Sequence, residues 1–276
     1  MENDFRIQLK FWGVRGSIAT PVKENLGYGG NTTCIEVRTP GDILIIDGGT
    51  GLRNLGKTLQ QEFAQGICSL AFLMTHFHWD HIQGLPFFAP LFSPSTEVTF
   101  RAGQSPEKIE EILGGQMTGP YFPLKLELSP AKKHYACVSS GSFRQGGLTV
   151  HPFPMNHPQG ATGYRMEIDG AVVVHASDLE HGNPDLDRVL RDYAQNADVL
   201  VFDAQYTPEE HASKHGWGHS TWLEATRVAR DCQVGQLVLF HHDPGHDDAF
   251  LDGIVKQAKC QFENTVAARE GEVVGV

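Results

Sequence analysis

Residues 73–88 read LMTHFHWDHIQGLPFF, an apolar run that breaks into three histidines and an aspartate within six residues before turning apolar again. Imidazole and carboxylate together are a ligand set for a divalent cation, and histidine is also the usual proton carrier near neutral pH. His76 and His78 are two apart, so an extended backbone sends both rings to one side. A turn after them brings Asp80 and His81 to an adjacent position. Four such groups around one ion would close its shell, as in a structural site, whereas two ions sharing them would need ligands from elsewhere.

Further candidates stand at comparable places. His157 follows LTVHPFPM, Asp178 follows AVVVHAS, and His241 ends QLVLF, with His242 beside it as the alternative. A lone buried histidine is commonly a hydrogen-bonded core residue. Three strand ends that each deliver one ligand type, added to HFHWDH, point to metal.

The elements that must position these groups follow from periodicity. FRIQLKF, TTCIEVR and DILIID read as strands consistent with early antiparallel pairing, and LRNLGKTLQQEFAQG as a helix leading to the strand SLAFLMT. EVTFRA, LKLEL and LTVHPFPM read as further strands, and SPEKIEEILGG as a helix with Ser105 as N-cap and Pro106 first inside it. GYRMEI and AVVVHAS form a hairpin turning at Asp169-Gly170. After them come a helix over about 184–194, the strand DVLVFDA, a helix from about Ser220 to Cys232, the strand QLVLFH and a last helix through about Ala268. Strands first and helices later in each half predict an α+β chain of two face-to-face sheets with helices outside, taken as one domain over 1–276. The irregular stretch of roughly 91–147, rich in Pro, Gly and aromatics, reads as an insertion or lid.

Composition narrows the function. The 276 residues carry a formal charge of -11, which repels polyanions and makes long nucleic acid an unfavoured partner. The start, MENDFRIQLKFWG, has no basic region followed by an apolar one, and no apolar run approaches membrane-spanning length, so a cytoplasmic protein without a membrane partner is expected. Five dispersed cysteines lack CxxC spacing and argue against both a disulfide framework and a thiolate metal site. Of the fourteen histidines, His211, His215 and His246 lie in polar surroundings and read as solvated surface. A homodimer is compatible with the sequence.

HxHxDH after a strand, followed by single ligands at three later strand ends, resembles the metallo-β-lactamase fold superfamily. The resemblance covers essentially the whole chain. It implies a four-layer αββα sandwich with the active site at one edge of the two sheets. It also implies two divalent cations, zinc first with manganese or iron as alternatives: His76, His78 and His157 on one, Asp80, His81 and His241 on the other, Asp178 between them. His241 is preferred over His242 because LVLFH matches the family's strand-then-His ending. GWGHSTWLEATRVA, with FWGVRGSIATP, GGNTTC and LIIDGGTG, resembles the phosphodiesterase branch, which includes tRNA 3′-end processing ribonucleases and cyclic phosphodiesterases.

That branch implies phosphodiester hydrolysis, in which a hydroxide bridging two cations attacks phosphorus. Asp80 would orient or deprotonate the water, and His219, as imidazolium, would protonate the departing alkoxide. The alternative for this segment is helix capping by Ser220. Asp47 and Asp203 would accept N–H bonds from site histidines and fix their rings. Arg15 and Asn31 would contact phosphate or ribose, and Tyr121 and Phe122 would stack a base. The acidic charge favours a small phosphodiester, such as a cyclic nucleotide or cyclic dinucleotide, over tRNA. A tRNA or RNA-processing nuclease, a thioester or lactone hydrolase and a non-catalytic nucleotide sensor are the alternatives.

Overall fold

The computed structural model describes residues 5–64, 66, 68–138 and 141–276. The first half runs β1 (Gln8–Gly13), β2 (Cys34–Arg38), β3 (Ile43–Ile46), α1 (Leu52–Glu62), β4 (Cys68–Leu73), α2 (Trp79–Ile82), β5 (Thr96–Ala102), α3 (Pro106–Gln116) and β6 (Lys132–Cys137). The second runs β7 (Phe143–Gln145), β8 (Leu148–Met155), β9 (Ala161–Ile168), β10 (Ala171–Ala176), α4 (Pro184–Ala194), β11 (Val199–Asp203), α5 (Pro208–His211), α6 (Trp222–Asp231), β12 (Gln236–Phe240), α7 (Asp248–Gln261) and β13 (Thr265–Ala267). β14 (Val273–Gly275) then returns to the first sheet.

Two seven-stranded sheets result, ordered β14-β1-β2-β3-β4-β5-β6 and β13-β12-β11-β10-β9-β8-β7. Each is antiparallel over one half and parallel over the other. In the first the change falls at β3, which pairs antiparallel with β2 and parallel with β4. In the second it falls at β10, antiparallel to β9 and parallel to β11.

The strand sequences explain the layering. Leu9, Phe11, Ile35, Val37, Leu44 and Ile46 of the first sheet interlock with Val150, Met166, Val173, Val201 and Val238 of the second, forming one inner core. The outward residues between them meet helices: α1 and α3 cover the first sheet, and α4, α6 and α7 cover the second. Burying both faces of each sheet this way gives four layers, αββα. Among the described residues no helix is long and apolar enough to cross a membrane.

Several local expectations agree with the structure. Ser105 Oγ accepts from Lys108 N at 3.3 Å as N-cap of α3. Asp169 and Gly170 both take positive φ, 48° and 81°, as a two-residue hairpin turn requires. Others differ. LKLEL is not a strand: Leu126–Leu128 is a 3-10 turn with Leu126 packed under the outer core of the first sheet. The last helix ends at Gln261, and residues up to Ala268 include β13. α6 is capped by Thr221, whose hydroxyl accepts from Glu224 N at 3.1 Å, one residue later than Ser220. The stretch 91–147 supplies β5 and β6 to the first sheet and β7 to the second, with Val98, Phe100, Ile109 and Leu113 fully buried.

Candidate metal centre

The candidate ligands leave the carboxyl ends of strands along one edge, the place where ligands gather in sheets with parallel strands. β3 is followed by Asp47, β4 by His76, β8 by His157, β10 by Asp178, and β12 by His241, while Asp203 is the last residue of β11. Asp47, Asp178 and His241 all take positive φ, 58°, 63° and 61°, so the chain turns sharply as it leaves the sheet. His78 precedes the short helix α2, which carries Asp80 and His81 back over the strand ends.

Among the described residues the ligand atoms at this edge fall into four overlapping groups, each within 4.8 Å. Two match the expected sets, His76/His78/His157 and Asp80/His81/His241; the others are His76/His81/Asp178 and Asp178/Asp203/His219/His241. Asp178 reaches both sides: Oδ1 is 4.0 Å from His76 Nε2, and Oδ2 is 3.1 Å from His81 Nε2 and 3.2 Å from His241 Nε2. Asp80 Oδ2 stands 3.4 Å from His81 Nε2 and 3.3 Å from His241 Nε2.

The opposite ring nitrogens are tied to the scaffold. His81 Nδ1 donates to Asp47 Oδ2 at 2.7 Å, and the Asp47 carboxylate also takes Thr75 N and Thr75 Oγ1 at 2.8 Å each. His241 Nδ1 meets Gln205 Oε1 at 2.9 Å, and His157 Nδ1 donates to Gly218 O at 2.9 Å. Gly218 has φ +85°, and a Cβ there would fall 2.4 Å from His157 Nδ1, so this approach needs glycine. Such outer bonds fix each ring's tautomer and aim its free nitrogen inward.

Two observations test whether a cation fits. Among the described residues, His76 Nε2 and His81 Nε2 are buried and have no hydrogen-bond partner, although both face Asp178. Burial alone would lower the His81 pKa, yet Asp178, Asp80 and Asp47 hold it well above its ordinary value. The point between those carboxylates therefore favours positive charge, while His76, farther from them, is pushed well below its ordinary value by burial and by neighbouring imidazoles. Asp80 and Asp178 are both held far below the usual carboxylate range: burial opposes ionisation, but His81 and His241 outweigh it. The donor set is imidazole and carboxylate without thiolate, which suits zinc, manganese or iron.

His219 sits beside the two expected sets. Its ring stacks on His241 at 5.0 Å and meets His157 edge-on at 5.6 Å. Nδ1 donates to Asp203 Oδ2 at 3.0 Å. Burial would lower its pKa, but Asp203 first, then Asp178 and Asp80, raise it to about 9. Asp203 also accepts from the backbone N–H of Asp178, Gln205 and Ser220 at 3.0–3.1 Å. His242, by contrast, points to Ala268 O at 3.0 Å, away from both sets, and burial lowers its pKa to about 3.

The four expected substrate contacts fare differently. Arg15 is fully buried and spends its guanidinium on the carbonyls of Gly29, Asp243, His246 and Asn25, so it is a clamp between loops. Its loop presents Ser17 N to Asp80 Oδ2 at 2.7 Å. The Asn31 amide is committed to Glu270 Oε2 at 2.9 Å. Phe122 packs edge-on against Phe87 at 5.8 Å in the outer core of the first sheet, and Tyr121 is exposed. The reading of His211 and His246 as solvated surface is also corrected: both are buried, His246 Nε2 meeting Glu210 Oε1 at 2.9 Å, and only His215 of the three is exposed. Thr75, Gln205, Ser17 and Gly218 went unnoticed in the sequence, although Thr75 and Gln205 lie within two residues of His76 and Asp203.

The model of the family described as the beta-lactamase superfamily domain matches residues 44–242, from β3 to just past His241. The chain belongs to the beta-lactamase superfamily. Within it, the ribonuclease Z of Thermoplasma acidophilum is 22% identical over 96% of this chain and 94% of its own length. The metallo-beta-lactamase fold protein YhfI from Bacillus subtilis superposes with a TM-score of 0.70 at 19% identity, covering 97% of this chain and 99% of that one. A diphosphatase from the PhnP family follows with a TM-score of 0.68 at 18% identity, covering 98% of both chains. The αββα architecture is thus that of the metallo-β-lactamase fold.

Proposed function

We propose that this chain, a metal-dependent hydrolase of the superfamily, cleaves a small phosphodiester such as a cyclic nucleotide or cyclic dinucleotide. The observation that carries the reading is His219, whose Nδ1 donates to Asp203 Oδ2 at 3.0 Å beside the paired ligand groups. In this reading His76, His78 and His157 hold one divalent ion, Asp80, His81 and His241 a second, and Asp178 serves both. Bound there, the two ions would supply charge neutralisation at phosphorus and an activated water.

The chain's own residues divide the remaining work. His219 gives the Nε2 proton to the departing alkoxide, because Nδ1 is taken by Asp203. Asp80, whose carboxyl is held far below the usual range, is a poor proton acceptor and orients the water instead. Asp47 and Gly218 O keep the His81 and His157 rings from rotating.

A second reading is an RNA-processing nuclease, favoured by the full-length similarity to a ribonuclease Z. The formal charge of -11 favours the small substrate. One assay separates these readings from thioester or lactone hydrolysis and from a non-catalytic nucleotide sensor. Cyclic and linear nucleotides, a chromogenic phosphodiester, a precursor tRNA, a lactone and a thioester are offered to one preparation of measured metal content. Turnover of the cyclic nucleotides above the rest is expected. Preference for the tRNA, or hydrolysis of the thioester or lactone alone, would sink the proposal, as would nucleotide binding without turnover.

A further inference from the structure

Behind the loop that delivers His219, an open cleft of about 610 Å³ is lined in part by Asn156, Glu180, His181, His211 and His215. Glu180 comes two residues after Asp178, His211 ends α5, and His215 lies on the loop leading to His219. Glu180 Oε1 is 3.8 Å from His211 Nε2 and 3.6 Å from His215 Nδ1, and the three ligand atoms fall within 4.8 Å of one another.

The cluster is more than three neighbouring polar groups. His211 is only 6% exposed, and its Nε2 is buried without a hydrogen-bond partner among the described residues while facing the Glu180 carboxylate. The ring is held in that orientation by His181, stacked on it at 4.5 Å and 26°. Glu180 is fixed as well: its carboxylate accepts from Gly216 N and Gly218 N at 2.8–2.9 Å, and Asn156 Nδ2 donates to its carbonyl at 2.7 Å. Zinc bonds of about 2.0–2.2 Å put tetrahedral ligands roughly 3.3 Å apart. The two separations from Glu180 Oε1, 3.6 and 3.8 Å, exceed that by about 0.3–0.5 Å and are too long for direct hydrogen bonds, so the rings need only a small approach to close on an ion.

We propose that Glu180, His211 and His215 bind one divalent transition-metal ion, zinc being the best chemical match, at a site separate from the ligand groups of the candidate centre. Two imidazoles and a carboxylate leave a fourth position open to the cleft. Because Glu180 also holds Gly216 N and Gly218 N, an ion here fastens the segment that sets His219 and the Gly218 carbonyl. Its occupancy would govern how well that loop is ordered.

Native mass spectrometry of the full-length protein titrated with zinc chloride tests this. Wild type is expected to hold one ion more than His215→Ala, whose side chain is exposed. The difference of one ion should persist in a His76→Ala/His157→Ala background, so the result does not depend on what the main centre holds. Zinc affinity at the extra site should fall at least tenfold in His211→Ala as well. Equal ion counts in wild type and His215→Ala, in either background, overturn the proposal.

Discussion

Asp47 follows a strand of the first sheet and Asp203 ends a strand of the second; both are completely buried, and each accepts a hydrogen bond from an imidazole Nδ1. Their other partners separate them. Among the described residues the Asp47 carboxylate meets Thr75 besides His81, both on the segment leaving β4, and Thr75 Oγ1 in turn meets His76 Nδ1 at 3.0 Å, so it serves ligand histidines on the strand beside its own. Asp203 gathers three backbone N–H groups from Asp178, Gln205 and Ser220 as well as His219. It therefore joins the carboxylate that reaches both expected ligand sets to a histidine that belongs to neither. In the proposed reading one aspartate would build affinity for a cation, and the other would tie that affinity to a proton donor.

The most severe way to break the comparison is Asp178→Ala, which removes the group both halves share. Metal content after dialysis and turnover of a chromogenic phosphodiester should fall to background together, with far-UV circular dichroism unchanged. Retention of the full metal content would show that Asp178 does not hold the ions. His219→Ala should lower kcat by about 10²–10⁴-fold, the range for losing a general acid, with metal content intact. Loss of metal in that variant would make His219 a ligand.

The aspartates themselves sharpen the contrast. Asp47→Asn should weaken metal affinity about 10–100-fold, the usual cost of removing a partner that orients a ligand, and excess metal should restore kcat. Asp203→Asn should lower kcat in a way that excess metal does not restore; rescue of both variants by metal would erase the distinction. The smallest effect is expected at His175, which lies in the inner core beside Phe240 with no partner among the described residues for either ring nitrogen. Burial lowers its pKa to about 4, so it is neutral. His175→Leu removes an unsatisfied polar group at similar volume, and thermal unfolding should show a change within about 1 kcal/mol or a gain.

The alternation of apolar residues made the two sheets legible in the sequence, and ligand types at strand ends marked the side chains that gather at one edge, because both signals are local; their division into two sets came only from the resemblance to the metallo-β-lactamase fold superfamily. What escaped was set by distant packing. β6 reads KKHYAC, with no clean alternation, and is a strand because it pairs in parallel with β5. LKLEL alternates yet turns, since Leu126 is drawn under the first sheet. Arg15 looked like a phosphate contact because an arginine in a glycine-rich loop advertises charge. Four carbonyls from two other segments converge on it only after folding. His211 looked solvated for the matching reason: its neighbours in sequence are polar, but His181, thirty residues earlier, covers its ring.

The left-handed backbone at Asp47, Asp178 and His241 has a consequence for how these positions tolerate substitution. Each such residue costs the native state on the order of 1–3 kcal/mol, a cost glycine would largely escape. Glycine at Asp47 would relieve that strain but orphan His81 Nδ1 and both Thr75 donors, at about 1–3 kcal/mol for each buried group left unpaired. The side-chain bonds thus hold the backbone in a conformation it would otherwise leave.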